Sequence, residues 1–432
     1  PTASARLNGS SRPPLFAPAM AARWAGAGPS GDPRQPRFSV MPLKIAMIGA
    51  GSIGFTRRLL HDILCVPELT DTVFSFTDLS ARNLEMVTNL CRRDIRANRL
   101  PARILASRDR RRAVAEADFV ICTIRQGGLE AFQTDIDLPL RYGVDQCVGD
   151  TLCAGGLMYA QRSIPVLLDF CRDLRAVAKP GVLLLNYSNP MAMNTWACNR
   201  HGGVRTLGLC HGVQGAHWQI TRVIERWAKR EGLLPRDATL HRREVDVVAA
   251  GINHQTWFVR AQWRGIDFLP RLLELFEDHP EYRRQEKVRI DVLRRFGYYC
   301  TESNGHLSEY LPWYRKRPAE IRRWISLDRW INGETGGYLR VCTEGRNWFE
   351  TDYPNWLREE PPPITAERRS EEHGSYIIEA LATGRTYRGH FNIQNRGHIP
   401  NLPEDCCIEI PGYVDRTGIS IDRKSTRLNS SY

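Results

Sequence analysis

Three glycines punctuate Gly49-Ala50-Gly51-Ser52-Ile53-Gly54, which follows the mostly apolar run Lys44–Gly49 and opens a helical stretch. Glycine lets a backbone turn tightly and approach a pyrophosphate, while a helix start offers N–H donors at a positive dipole end. Gly49, Gly51, Ser52, Ile53 and Gly54 are therefore predicted to cradle a dinucleotide. The next apolar run ends in Asp78, whose carboxylate can accept from both ribose hydroxyls and would repel a 2′-phosphate, favouring NAD over NADP. Further on, Cys210 and His254 offer a soft thiolate and an imidazole, suited to a transition or zinc-like ion. Two protein ligands leave coordination positions open, as catalysis needs and a closed structural site does not. His211, beside Cys210, can pass a proton near neutral pH or simply orient the neighbouring groups. Asn189, just before Pro190, offers an amide to hydroxyl groups or initiates a turn.

The elements that must carry these residues show in the hydrophobic periodicity. Short apolar runs at Lys44–Gly49, Thr72–Asp78, Phe119–Thr123, Val182–Tyr187 and Thr206–Cys210 read as strands. Helical patterns at Phe55–Leu64, Ala81–Asn98, Met158–Val177 and Met191–Asn199 lie between them. Such alternation predicts an α/β fold with a Rossmann-type, doubly wound parallel sheet. The second half opens with strands at Val245–Gly251 and Thr256–Arg264, then alternates helices such as Asp267–Glu277 and Val288–Phe296 with aromatic loops. A mixed α+β domain is expected there. The predicted organisation is a nucleotide domain over 43–212 and a substrate, metal and oligomerisation domain over 213–421. Residues 1–42, rich in Ala, Gly, Pro, Ser and Arg, are expected to be a disordered extension that need not be native, with Met41 as a natural start. The polar residues 422–432 read as a non-native tail.

Composition narrows the function. The 432 residues carry a formal charge of +12, which taken alone suggests nucleic acid or an acidic membrane. Residues 1–40 supply +4 of it, residues 421–432 another +2, and Arg222–Arg243 a further +4 on what reads as a solvated helix and loop. The charge sits at the ends and on one face, so neither nucleic acid nor a membrane is expected. No run of eighteen apolar residues and no N-terminal apolar h-region occurs. The twelve cysteines follow no small-domain spacing and are expected to be reduced cytoplasmic thiols.

Four further motifs occur in order: Asp150-Thr151-Leu152-Cys153-Ala154-Gly155-Gly156, Asn186-Tyr187-Ser188-Asn189-Pro190 through Trp196, Gly208-Leu209-Cys210-His211, and Gly251-Ile252-Asn253-His254. With the glycine turn they resemble glycoside hydrolase family four, the NAD-dependent exception among glycosidases. Thr301-Glu302-Ser303 and His306-Leu307-Ser308-Glu309-Tyr310-Leu311-Pro312-Trp313 are similar to its α-galactosidase branch. The family has Gly-Pro-Gly-Gly where this chain has Cys153-Ala154-Gly155-Gly156. The resemblance ends near Ile419, before terminal helices that it leads one to expect, so a C-terminally truncated chain is anticipated.

The resemblance implies a manganese-class divalent ion on Cys210 and His254, proton donation by His211, and substrate contacts from Asn189 and Asp150. It places the base that removes the sugar C2 proton at His306, with Glu302, Glu309 and Tyr310 as rivals. The implied route is oxidation at C3 by NAD, elimination, water addition and reduction, so that NAD is recycled within each turnover. A cytoplasmic homo-oligomer acting on a small glycoside follows from the same resemblance. An α-glucuronidase or α-galacturonidase of the family, a dehydrogenase on the same fold and a non-catalytic NAD sensor stay open as alternatives.

Overall fold

The computed structural model describes residues 42–327, 333–347 and 351–421. The expectations placed on residues 1–41 and 422–432 lie outside the described residues. Strands β1 (Lys44–Ile48), β2 (Val73–Thr77), β3 (Arg103–Ala106), β4 (Phe119–Cys122), β5 (Leu183–Asn186) and β6 (Arg205–Gly208) pair in parallel in the order β3-β2-β1-β4-β5-β6. That is the dinucleotide-binding order, with a crevice where the winding reverses beside β1. Strand β1 shows why both faces are covered. Ile45 and Met47 pack on one side with α1 (Ile53–Leu64) and α2 (Ala81–Ala97), while Ala46 and Ile48 pack on the other.

The sequence misses β3 and two helices, α3 (Arg110–Val114) and α4 (Gly128–Arg141). Strand β3 is only four residues long and buries Ile104 alone, so its brief apolar run does not stand out as a strand. Helix α5 (Ala154–Val177) starts four residues earlier than its apolar pattern, because Gly155 and Gly156 fill its first turn. They are there for close approach: a Cβ on Gly155 would lie 2.4 Å from the Gly149 carbonyl, and one on Gly156 2.1 Å from that of Thr151. Cys153 and Ala154 thus replace the family's first pair while the two spatially required glycines remain. Helices α6 (Met191–Ala197) and α7 (Gly212–Arg230) follow β5 and β6.

Beyond α7 the same sheet continues. Strands β7 (Asp246–Ile252), β8 (Gln255–Trp263) and β9 (Ile266–Asp267) form an antiparallel meander. Between β6 and β7 sit β10 (Tyr387–Gln394) and β11 (Cys407–Asp415), the latter also pairing β12 (Gly418–Ile421). Gly208, Asn392, Glu409 and Gly251 stand in register across these four strands. The helix expected at Asp267–Glu277 is a correction. Asp267 ends β9, and the α-helix begins only at Leu272, after a short turn containing Pro270. A proline fits a first turn but not a helix interior. No helix among the described residues is long and apolar enough to cross a membrane, and all twelve cysteines are free.

Candidate active site

The glycine turn lies between β1 and α1. Gly49 adopts φ +84°, and a Cβ there would stand 2.8 Å from the Thr123 carbonyl oxygen. At Gly51 a Cβ would stand 2.7 Å from Asp78 Oδ2, which accepts the Gly51 N–H at 2.8 Å. The other Asp78 oxygen accepts from the Ser80 N–H at 2.8 Å. Asp78 therefore closes the turn, and each oxygen keeps a further acceptor position. Ser52 caps α1 without a side-chain bond, so the first-turn N–H groups are left for an anion. Gly49, Gly51, Ser52, Asp78 and Arg125 border a cleft of about 770 Å³, a volume suited to a dinucleotide. Ile53 points into the core.

Gly54 does not share this geometry. It is exposed, and a Cβ on it would meet nothing within 4 Å. Gly49→Ala, forced into a left-handed conformation against a carbonyl, is expected to weaken NAD binding at least about tenfold, whereas Gly54→Ala leaves it within about twofold. Fluorescence titration of both variants with NAD checks this. Equal losses would place Gly54 in the cradle after all.

The metal-type residues converge from three segments. Cys210 lies two residues past β6, and His254 turns the β7–β8 hairpin at φ +67°. Cys210 Sγ is 3.4 Å from His254 Nε2, which is 3.9 Å from Glu302 Oε1. One ligand atom from each of the three lies within 4.8 Å of the others. His254 Nδ1 shares a hydrogen bond of 3.2 Å with the Tyr310 hydroxyl, which leaves Nε2 for an ion. Burial, Glu302 and Glu409 push the Cys210 thiol well above its usual range. Burial also opposes the Glu302 charge, yet His254 and His306 hold that carboxyl below its ordinary value. A divalent cation among these groups removes the conflict by favouring the thiolate and the carboxylate together. The donor set fits the implied ion.

Glu302 thus stands with the candidate metal ligands, a place that its sequence context does not indicate. The other rivals for the base are also engaged. Glu309 accepts backbone N–H groups of Cys147, Val148 and Gly149 at 2.7, 2.8 and 3.1 Å, clamping that loop. Tyr310 holds His254. His306, on the helix Asn304–Tyr310, turns Nδ1 to Ser303 Oγ at 2.9 Å and lies edge-on to His254 with ring centres 4.9 Å apart. Its Nε2 has no hydrogen-bond partner among the described residues.

Asp150 and Asn189 come together across the end of β5. Asp150, 1% exposed, accepts from Arg125 Nη2 at 3.0 Å, from Thr151 Oγ1 at 2.9 Å and from Asn189 Nδ2 at 3.3 Å. Burial works against its charge, but Arg125, His254 and His306 hold the carboxyl below its usual range. Arg125 lies 4.3 Å from the centre of the Phe132 ring and 5.3 Å from that of Tyr159, and borders the nucleotide cleft. His211 Nε2 meets Glu372 Oε2 at 2.7 Å.

Two buried carboxylates escaped the sequence reading. Glu409 binds Thr256, Asn253 and Asn392, and burial pushes it up to about 7. A lone acid in the apolar run Cys406–Ile410 could have signalled it. Glu372 lies in the polar run Arg369–Glu372, which carries no such signal.

The glycine-turn cleft and the Cys210–His254–Glu302 cluster sit in a chain that matches a known family. Residues 44–226 match the family described as "Family 4 glycosyl hydrolase", and residues 249–423 match "Family 4 glycosyl hydrolase C-terminal domain". The chain belongs to the family 4 glycosyl hydrolases. It is 58% identical over 379 residues to an α-galactosidase of Rhizobium meliloti (strain 1021), covering 88% of this chain and 74% of that one. It is 32% identical over 385 residues to an α-galactosidase of Bacillus subtilis (strain 168), covering 87% and 82%. The crystal structure of a Thermotoga maritima 6-phospho-β-glucosidase with NAD and glucose-6-phosphate shares the fold, with a TM-score of 0.66 at 21% identity over 88% of this chain and 83% of that one.

Proposed function

We propose that this protein hydrolyses α-galactosides with NAD and a divalent ion of the manganese class as cofactors. The observation that carries the reading is the Cys210–His254–Glu302 cluster, whose His254 acts on the Asp150 carboxyl paired with Asn189, in a chain 58% identical to an α-galactosidase. When bound, NAD supplies a hydride acceptor and the metal a Lewis acid that acidifies the hydrogen beside an oxidised sugar carbon. Gly49, Gly51, Ser52 and the first turn of α1 hold the pyrophosphate, and Asp78 the ribose; Cys210, His254 and Glu302 hold the ion. Asn189 and Asp150 bind sugar hydroxyls, with Arg125 fixing the carboxylate. His306, whose Nδ1 is engaged, takes the C2 proton at Nε2, and His211 protonates the departing oxygen. The same reading makes the protein a cytoplasmic homo-oligomer, and sedimentation of the purified chain tests the assembly.

The deciding experiment is an aryl α-galactoside with deuterium at C2, supplied with NAD⁺, Mn²⁺ and a reductant. Phenol release with loss of deuterium to solvent and no net NADH is expected. Stoichiometric NADH without phenol would replace the glycosidase by a dehydrogenase. Parallel titrations should show tighter binding of NAD than of NADP; equal affinity removes Asp78 from the ribose.

A further inference from the structure

We propose that Glu372 is a positioning residue, holding His211 by Nε2 so that Nδ1 is presented to the departing glycosidic oxygen. This rests on the reading of His211 as the proton donor. The Glu372 side chain is 5% exposed and that of His211 47%, so a buried carboxylate meets an imidazole that opens to solvent on its other side. Their contact is 2.7 Å, the length of a charge-assisted hydrogen bond. An imidazole has two nitrogens, and fixing one decides which atom is left for chemistry. Without such a partner the ring can rotate away from the substrate.

The surroundings are built to keep this contact. Ser370 donates its backbone N–H to Asp62 at 2.8 Å and its hydroxyl to the same carboxylate, tying the segment to α1. Ser370 Oγ in turn accepts the Glu372 N–H. Two residues on, the Gly374 N–H donates to the Tyr187 hydroxyl at 2.8 Å, and the Tyr187 ring stacks on His211 with centres 6.2 Å apart. A Cβ on Gly374 would stand 2.9 Å from that hydroxyl, so glycine permits the approach. One short segment therefore supplies the acceptor for His211 and secures the ring stacked on it. Arg58 lies 3.5 Å from the other Glu372 oxygen and offsets its charge from the exposed side.

Proton donation matters when the leaving group is a poor one, and little when it departs as a stable anion. The full chain with NAD⁺ and Mn²⁺ is therefore assayed on methyl and on 2,4-dinitrophenyl α-galactoside. Glu372→Gln is expected to lose about 100-fold more kcat with the methyl glycoside than with the dinitrophenyl one, with KM for each changed less than about threefold. Glu372→Asp, which also covers the case that the glutamine variant fails to fold, is expected to show the same bias at about tenfold. In a His211→Asn background, Glu372→Gln should add no further bias, because it acts only through that ring. Equal losses on both substrates, or a bias that persists without His211, overturn the proposal. If the unaltered protein cleaves neither glycoside, the glycosidase reading itself fails, a result distinct from equal losses.

Discussion

Cys210→Ser abolishes turnover, lowering kcat by at least about 1,000-fold, while NAD binds within about threefold of its normal affinity. A Lewis acid at the reacting carbons supplies several kcal/mol of transition-state stabilisation, and each 1.4 kcal/mol is about a factor of ten in rate. Serine keeps the volume but not the thiolate, so the cluster of Cys210, His254 and Glu302 loses its soft ligand. On the proposed reading the nucleotide contacts belong to the separate turn at Gly49–Ser52, so NAD binding is expected to survive. Metal content by mass spectrometry gives a readout that does not depend on activity: the variant should retain little manganese after dialysis. EDTA should reproduce the defect in the unaltered protein, and Mn²⁺ should restore that protein but not the variant. Oxidation of the thiolate also removes a ligand, so activity should need a reductant. Full activity of Cys210→Ser in chelator would falsify the metal assignment.

Arg125→Met destabilises the fold by about 3–5 kcal/mol at neutral pH, because it strands the buried Asp150 carboxylate without its cation. The pH dependence has a definite sign. With Arg125 present the Asp150 carboxyl lies below its usual range. The pair's contribution is therefore complete above the unfolded-state value for Asp and is lost only as pH falls through the lower folded value. In the variant, burial loses its largest opposing charge, so the folded carboxyl is expected to rise. Its penalty is then largest at neutral pH and shrinks as acid protonates Asp150. Thermal melts from pH 7 down to pH 4 should show the gap between the two proteins narrowing. A constant gap would mean that Arg125 acts by packing on Phe132 and Tyr159 rather than by charge.

What was legible in the sequence follows the range of the interactions. Strands β1, β2, β4, β5 and β6 lie on both-face-buried positions and read as short apolar runs flanked by glycine or acid, so each was found within two residues at either end. Strands β10 and β11 were not. Their residues include His390, Asn392, Glu409 and Pro411, and a proline opposite His390 in an interior strand defeats any period-two reading. The polar side chains there pair with one another and with Asn253 and Thr256, far away in sequence. The site divides in the same way. The glycine turn and Asp78 were readable because their spacing is local. Cys210 and His254 needed motif context, since neither neighbourhood alone names the other. Glu302 is legible by its type as a chemical residue, but its approach to Cys210 and His254 is set by the fold and not by spacing. Glu372 could not be found, because only the fold brings it to His211.

The in-register row of Gly208, Asn392, Glu409 and Gly251 also bears on when the enzyme can come into being during synthesis. Strands β6 and β7 are consecutive strands separated by α7, yet within the sheet they are joined only through β10 and β11, which are translated much later. Until residues up to about Asp415 have left the ribosome, α7 packs against β7 but no strand yet ties β6 to β7 across the sheet. The parallel pairings of β1 to β6 need no strand beyond Gly208, whereas the spacing of Cys210 and His254 depends on pairings of higher sequence separation, which form slowly. A chain ending before Tyr387 is then expected to lack the strands that fix Cys210 against His254, and with them the ion.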